Sequence, residues 1–367
     1  MGVTVTSSEN RQFDHLIYLR IYEGCNLKCD HCFIPSNPKK MSLQQIKEFT
    51  IHVHSKFRPG EHLLIQWHGG EPTSRGLRFV QLALQLINDE LSSTFKISHS
   101  IQTNLINYTS EWGALFRQYY HSEVGISWDY SLRHYSHTKR TGLNYDDLFW
   151  SHVQQLIADE VTPYLVVTAA APFFERYKDP NEFYNFLIER GVKYLHIEKL
   201  TKTGNASLNW DTIGLSNAEY SDNMIKFLKR YLMHKIMNTP LYVSPFDGLI
   251  DAVASLQNGV PQSYGCNSGN CDTRYHTFDA SGYHRGCTAL TTNEQLHKLN
   301  SPNVDTGQMI SIVRRQKVFH CEDCKFRAIC NSGCVTEPTN DGSGECSGAY
   351  RLYEAIATEL TKGYLRN

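Results

Sequence analysis

Gly24-Cys25-Asn26-Leu27-Lys28-Cys29-Asp30-His31-Cys32-Phe33 follows directly on the apolar stretch His15 to Ile21. Three thiolates this close can hold three irons of a four-iron cluster and leave the fourth iron open to a small molecule. Cluster thiolates normally come in fours, and the next cysteine after Cys32 is Cys266. The alternatives are a zinc loop or buried free cysteines. Structural zinc takes four protein ligands, whereas this loop offers three.

The chain has 367 residues, 41% of them hydrophobic, and a net charge of −1. That length suits one large core with a smaller appended domain. The charge balance points to neither nucleic acid nor an anionic surface as partner. The longest apolar run, Tyr164 to Phe174, is interrupted by Thr168 and Pro172 and is too short to span a bilayer. The first residues, Met1 to Phe13, lack an apolar signal core, so a cytoplasmic protein without membrane contact is expected. Eleven cysteines, an odd count, argue for metal or cluster ligation in a reducing compartment rather than for disulfides.

Short β-branched runs alternate with amphipathic stretches. Strands are expected at Leu16–Ile21, Leu63–Trp67, Ile97–Thr103, Val124–Trp128, Pro163–Thr168 and Tyr194–Ile197. Ser42-Leu43-Gln44-Gln45 reads as a capping box opening the first helix. Further helical patterns cover Leu77–Leu91, Ser110–Tyr120, Asp146–Asp159, Asp179–Glu189 and about Ser216 to Met237. Repeated strand–helix units imply an α/β fold with a parallel sheet and right-handed crossovers. Functional loops then belong at the carboxyl ends of the strands, which is where the cysteine triplet falls. Past Pro245 the texture changes, and no long periodic segment is expected before a last helix near Ala349–Lys362. A boundary in Thr239–Asp247 divides the chain into an extension (1–14), a barrel domain (15–238) and a cysteine-rich domain (239–367).

The Cys-x3-Cys-x2-Cys spacing after a first strand resembles the radical S-adenosylmethionine (SAM) enzymes. The resemblance implies a partial (β/α)6 barrel, an open iron that chelates the methionine end of SAM, and a deoxyadenosyl radical that takes a hydrogen atom from substrate. Gly69-Gly70-Glu71-Pro72, ending the second strand, looks like the family's GGEP motif. It implies that Glu71 pairs with the amino group of SAM. Further strand ends imply SAM contacts from Asn104, Ser127 and Arg140, with Leu195 near the adenine.

The C-terminal cysteines, Cys321-x2-Cys324-x5-Cys330-x3-Cys334 and then Cys346, preceded by Cys271-x10-Gly282-x4-Cys287, resemble the SPASM signature, with Cys266 upstream as an eighth. Eight thiolates suffice for two fully ligated four-iron clusters; a pair of zinc sites would use the same ligands. The triplet and two sets of four account for all eleven cysteines. Family pairing assigns Cys266, Cys271, Cys287 and Cys334 to one auxiliary cluster, and Cys321, Cys324, Cys330 and Cys346 to the other. Three [4Fe-4S] clusters and SAM are thus the cofactors implied, with flavodoxin or ferredoxin as reductant.

Enzymes of this type mostly modify peptides. Sulfatase-maturing members place an Asp right after the third cysteine of the first auxiliary set, where this chain has Thr288. A maturase of a ribosomally made precursor peptide is therefore favoured, forming an oxidative crosslink such as a cyclophane. Formylglycine formation, peptide epimerisation and a zinc-stabilised binding protein are the alternatives. Only about fourteen residues precede the first strand, which leaves leader recognition to the barrel mouth, the C-terminal domain or a separate leader-binding protein. Asp129 and Glu198, at strand ends, are the candidate proton acceptors.

Overall fold

The computed structural model describes residues 13–34, 39–135, 145–271, 273–289 and 306–362. Six parallel strands form its centre: β1 (His15–Tyr22), β3 (His62–Gly69), β4 (Lys96–Thr103), β5 (Glu123–Ser127), β7 (Thr162–Ala169) and β8 (Tyr194–Lys199). They lie side by side in that order and coincide with the six runs expected from the sequence. Two further short strands, β2 (Leu27–Cys29) and β6 (Arg133–Tyr135), pair antiparallel as a separate ribbon.

The helices between the strands begin where local chemistry dictates. Ser42 caps Leu43–Lys56 in a reciprocal capping box with Gln45, and Ser216 does the same with Glu219 for Asn217–Ile236, satisfying backbone donors that the first turn leaves unpaired. Leu77–Leu91 buries Val80, Ala83, Leu84, Ile87 and Leu91, the spacing of a single helical face.

Two features depart from the sequence reading. First, the segment after the sixth strand does not leave the sheet. β9 (Tyr242–Ser244) pairs parallel with β8. β10 (Tyr275–Asp279) pairs parallel with β1, and β11 (Gly282–Arg285) pairs antiparallel with β10. The sheet therefore runs β11-β10-β1-β3-β4-β5-β7-β8-β9, with residues from the cysteine-rich region at both edges. Second, regular helix does not cease past Pro245. Phe246–Gln257 buries Phe246, Leu249, Ile250, Ala252 and Val253, and Thr306–Phe319 is also helical, before the last helix, Tyr350–Thr361. Among the described residues no helix is long and apolar enough to cross a membrane.

Strand alternation gives the sheet two unlike faces. Leu19, Ile65, Trp67, Ile101, Ile126, Val167, Leu195 and Ile197 are buried in the main core. The other parity carries Tyr18, Arg20, Gln66, His68, Gln102, Ser127, Thr168, His196 and Glu198, with Leu16, Leu64 and Val166 as its apolar members. Strand register aligns Tyr18 with Gln66, Arg20 with His68, Gln102 with Gly125 and Thr168 with Glu198. Five strand spacings separate β1 from β8, about 24 Å across a flat sheet. Yet Glu198 is near enough to help raise the Tyr18 pKa, after burial, Cys287, Tyr275 and Cys266. The sheet is curled, with the polar face inside.

Candidate active site

The cysteine loop is held from four directions at the carboxyl end of this lumen. Its backbone pairs with β6, Cys29 opposite Arg133. Asn205, opening the helix Asn205–Ile213, donates from its N–H to the Cys32 carbonyl and from Nδ2 to the Cys29 carbonyl, both at 2.9 Å. Asn104 donates to Asn26 Oδ1 at 2.7 Å and points the same amide at Cys25 Sγ, 3.7 Å away. Gly70 and Glu71 donate backbone N–H groups to the carbonyls of Tyr22 and Gly24 at 2.9 and 3.0 Å. Gly69 has φ of 132°, and a Cβ on Gly70 would stand 2.2 Å from the Gly24 carbonyl oxygen. Only glycine permits this approach.

The three thiols are enclosed. Burial, with Glu71 adding, pushes Cys25 up to about 12. Burial also raises Cys29 and Cys32, against the nearby Arg133 guanidinium. A thiol must lose its proton to ligate metal, and a metal's charge is what would remove protons from three buried thiols in one pocket. The donor set therefore fits a thiolate-bound cluster.

Glu71 is bonded within the protein. Its side chain is 1% exposed. Oε1 accepts from the Thr73 N–H, Thr73 Oγ1 and Thr103 Oγ1 at 3.0, 2.7 and 2.8 Å, and Oε2 from the Asn104 N–H at 2.7 Å. Four donors already occupy the carboxylate, so it ties the end of β3 to the end of β4. Beside the SAM contact that the motif implies, Glu71 therefore has a positioning role. Pro72 is buried and opens the short 3-10 turn Pro72–Arg75 that supplies Thr73.

Asp129 is likewise engaged by protein partners. It is 2% exposed. Its Oδ2 faces Arg133 Nε at 2.7 Å and His31 Nε2 at 3.2 Å, and its Oδ1 accepts from the Thr168 N–H. Burial would raise its pKa, but Arg133 and then His31 hold it well below the usual carboxylate range. A carboxylate so paired is a poor proton acceptor. Its partners show its role: His31 lies inside the cysteine loop and Arg133 opposite Cys29. Asp129→Asn should cost about 3–5 kcal/mol, because it leaves the Arg133 cation buried without its partner. Anaerobic urea denaturation measures this. The depressed pKa makes the stabilisation fully present above the unfolded carboxyl value of about 3.9 and lost as pH falls through the folded value.

Leu195 is 0% exposed and packs in the helix-facing core, on the face opposite His196 and Glu198. Its side chain is thus part of the core. Ser127 faces the lumen and accepts from Gln102 Nε2 at 2.6 Å. Arg140 lies outside the described residues. Glu198 is on the lumen face with its side chain 49% exposed. His68 shares that face, and burial, with Arg20 adding, pushes its imidazole down to about 4, so it is neutral near pH 7.

The C-terminal cysteines gather into two sets. Cys266 is solvent-exposed at its surface, yet surrounding protein raises its pKa, with Glu198, Cys334, Cys271 and Cys287 adding to the shift. Cys321, Cys324, Cys330 and Cys346 line one cavity. Burial pushes Cys330 up to about 12, with Cys346, Cys324 and Cys321 adding. A Cβ on Gly348 would stand 2.5 Å from Cys330 Sγ, so the loop is shaped around that thiol.

Arg133, His31, Asn205 and His196 were missed by sequence reasoning. Arg133 acts through a three-residue ribbon strand, too short for periodicity to show. Asn205 had the signal Thr203-Gly204-Asn205, a turn before a helix.

Residues 19–149 match the family model of the radical SAM superfamily. An uncharacterized protein of Synechocystis sp. is 31% identical over 137 residues, 35% of this chain and 34% of that protein, so the match spans about a third of that relative. A cysteine-type anaerobic sulfatase-maturating enzyme of Clostridium perfringens is 22% identical over 343 residues, 85% of this chain and 86% of the enzyme. Among solved structures, native anSMEcpe with bound AdoMet superposes with a TM-score of 0.70 at 17% identity, covering 96% of this chain and all of that one. SuiB of Streptococcus suis gives 0.57 at 14% identity, covering 90% of this chain and 77% of that one. At these identities the structures show a shared fold. The chain carries a radical SAM domain at residues 19–149, ahead of a cysteine-rich C-terminal region.

Proposed function

We propose that the chain is a maturase that forms an oxidative crosslink, cyclophane-type, in a ribosomally made precursor peptide. The observation that carries this reading is the pairing of an enclosed thiol triplet with a lumen whose far side meets a second cysteine set. Cys25, Cys29 and Cys32 would hold a SAM-binding cluster, with Gly69, Gly70, Asn104, Ser127 and Arg140 shaping the SAM site. Two four-iron auxiliary clusters would sit on Cys266, Cys271, Cys287 and Cys334 and on Cys321, Cys324, Cys330 and Cys346, in a SPASM domain spanning 239–367 after a barrel of 15–238. When bound, the first cluster and SAM supply the deoxyadenosyl radical that takes a hydrogen atom from the peptide. A flavodoxin or ferredoxin would deliver the reducing electron, and the protein would work in the cytoplasm. A separate protein could present the leader.

A peptide substrate accords with SuiB, which has been solved bound to precursor peptide SuiA, and with anSMEcpe, solved with the Cp18Cys peptide. A zinc-stabilised binder is the non-enzymatic alternative. The enclosed triplet offers three thiolates, where structural zinc takes four protein ligands.

Sulfatase maturation is the second reading, favoured by the 343-residue similarity to the clostridial enzyme. Thr288 weighs against it. It follows Cys287 and is 5% exposed, and a threonine hydroxyl is not a base near neutral pH. Mass spectrometry after anaerobic co-expression decides. The expected product of the cognate precursor is about 2 Da lighter per crosslink, the mass of two hydrogens, with no formylglycine on Cys- or Ser-type sulfatase peptides. A product of unchanged mass with inverted stereochemistry would mean epimerisation, and abundant formylglycine would restore the second reading.

A further inference from the structure

β8 carries a hydrogen-bonded chain that none of the residues discussed so far requires. Glu198 Oε2 lies 2.8 Å from His196 Nε2. His196 Nδ1 lies 2.6 Å from Ser244 Oγ, and Ser244 Oγ lies 2.7 Å from the Tyr264 hydroxyl. Register makes the chain possible: His196 and Ser244 are paired positions of neighbouring parallel strands, and Glu198, two residues on, shares their face. With the imidazole protonated at Nε2, every bond runs one way. Tyr264 donates to Ser244, Ser244 to Nδ1, and Nε2 to the carboxylate.

Two further observations place the head of this chain where a reaction would need it. Glu198 acts electrostatically on Tyr18, across the lumen, and on Cys266. It therefore stands between the barrel interior and the first C-terminal cysteine set. Its half-exposed carboxylate stays open to a ligand, unlike those of Asp129 and Glu71.

We infer that Glu198 is the proton acceptor of the oxidation step, and that His196 and Ser244 are positioning residues that orient its carboxylate. This inference rests on the proposed oxidative reading. In the step, a substrate C–H bond gives its hydrogen atom to the deoxyadenosyl radical. The substrate radical then bonds to a second group of the peptide, whose X–H bond breaks. The proton goes to Glu198 and the electron to an iron–sulfur acceptor. Glu198 thus fills, from across the barrel, the role that Thr288 cannot.

The test reads product formed per 5′-deoxyadenosine formed, using the full-length, cluster-loaded enzyme and its precursor peptide. Losing a general base typically costs about 10²–10⁴-fold. Glu198→Gln, isosteric and half-exposed, should lower the ratio at least about tenfold, with Glu198→Asp recovering part of it. His196→Gln should lower it less, and Ser244→Ala less again. A variant that only weakens folding lowers both quantities together and leaves the ratio at the wild-type value; that result in Glu198→Gln or His196→Gln overturns the inference. If the wild type instead converts a sulfatase peptide, the crosslink reading fails, and the same ratio taken with formylglycine still tests Glu198.

Discussion

Replacing Cys25, Cys29 and Cys32 together with Ala should abolish reductive cleavage of SAM while leaving iron bound in the C-terminal region. The two halves of this result follow from position. The triplet is held by β6, Asn104 and Asn205, all of which precede the C-terminal thiols in the chain. Those thiols are organised by their own loops, such as the one in which Gly348 cradles Cys330. Iron content should fall by about four per chain, the iron of one cluster, and 5′-deoxyadenosine should be undetectable under strong reductant. Chromatographic detection of 5′-deoxyadenosine from the variant would mean that SAM is opened elsewhere.

The second large effect is expected at Glu71. Glu71→Ala would strand four donors, three of them on Thr73 and Thr103, in a buried site. A buried unsatisfied group costs about 1–3 kcal/mol, so loss of roughly 3 kcal/mol or more is expected even after partial relaxation. Because Asn104 and the Gly24 carbonyl hang on the same segment, the cysteine loop should loosen and cluster retention should fall with stability. Glu71→Gln keeps the shape but points an amide N–H₂ at a donor, so it too should destabilise by about 1–3 kcal/mol. Had Glu71 served SAM alone, Glu71→Gln would weaken SAM binding and leave the thermal melt of the SAM-free protein unchanged. Comparing that melt with SAM titration separates the two.

The central fold was legible because its signals are local. Strand and helix periods, the Ser42 cap and the cysteine spacings all act within a few residues. What escaped depends on contacts distant in sequence. β10 joins β1 although Tyr275 is far along the chain from Leu16, and a five-residue strand containing His, Thr and Asp carries little pattern of its own. The donors that fill the Glu71 carboxylate, Thr103 and Asn104, lie a whole helix away. Arg133 and His31 reach Asp129 only through the folded ribbon. Leu195 is the opposite case. Its alternation with His196 is readable, and strand parity alone assigns its side chain to the core.

The claim on which all else depends is that eleven cysteines divide into one open and two closed thiolate sets. Iron and acid-labile sulfide analysis of the anaerobically reconstituted wild-type protein, followed by incubation with SAM and dithionite, tests it most directly. The account predicts about twelve irons per chain, three clusters of four, and formation of 5′-deoxyadenosine. A colourless protein holding zinc, with no iron and no SAM cleavage, would contradict it.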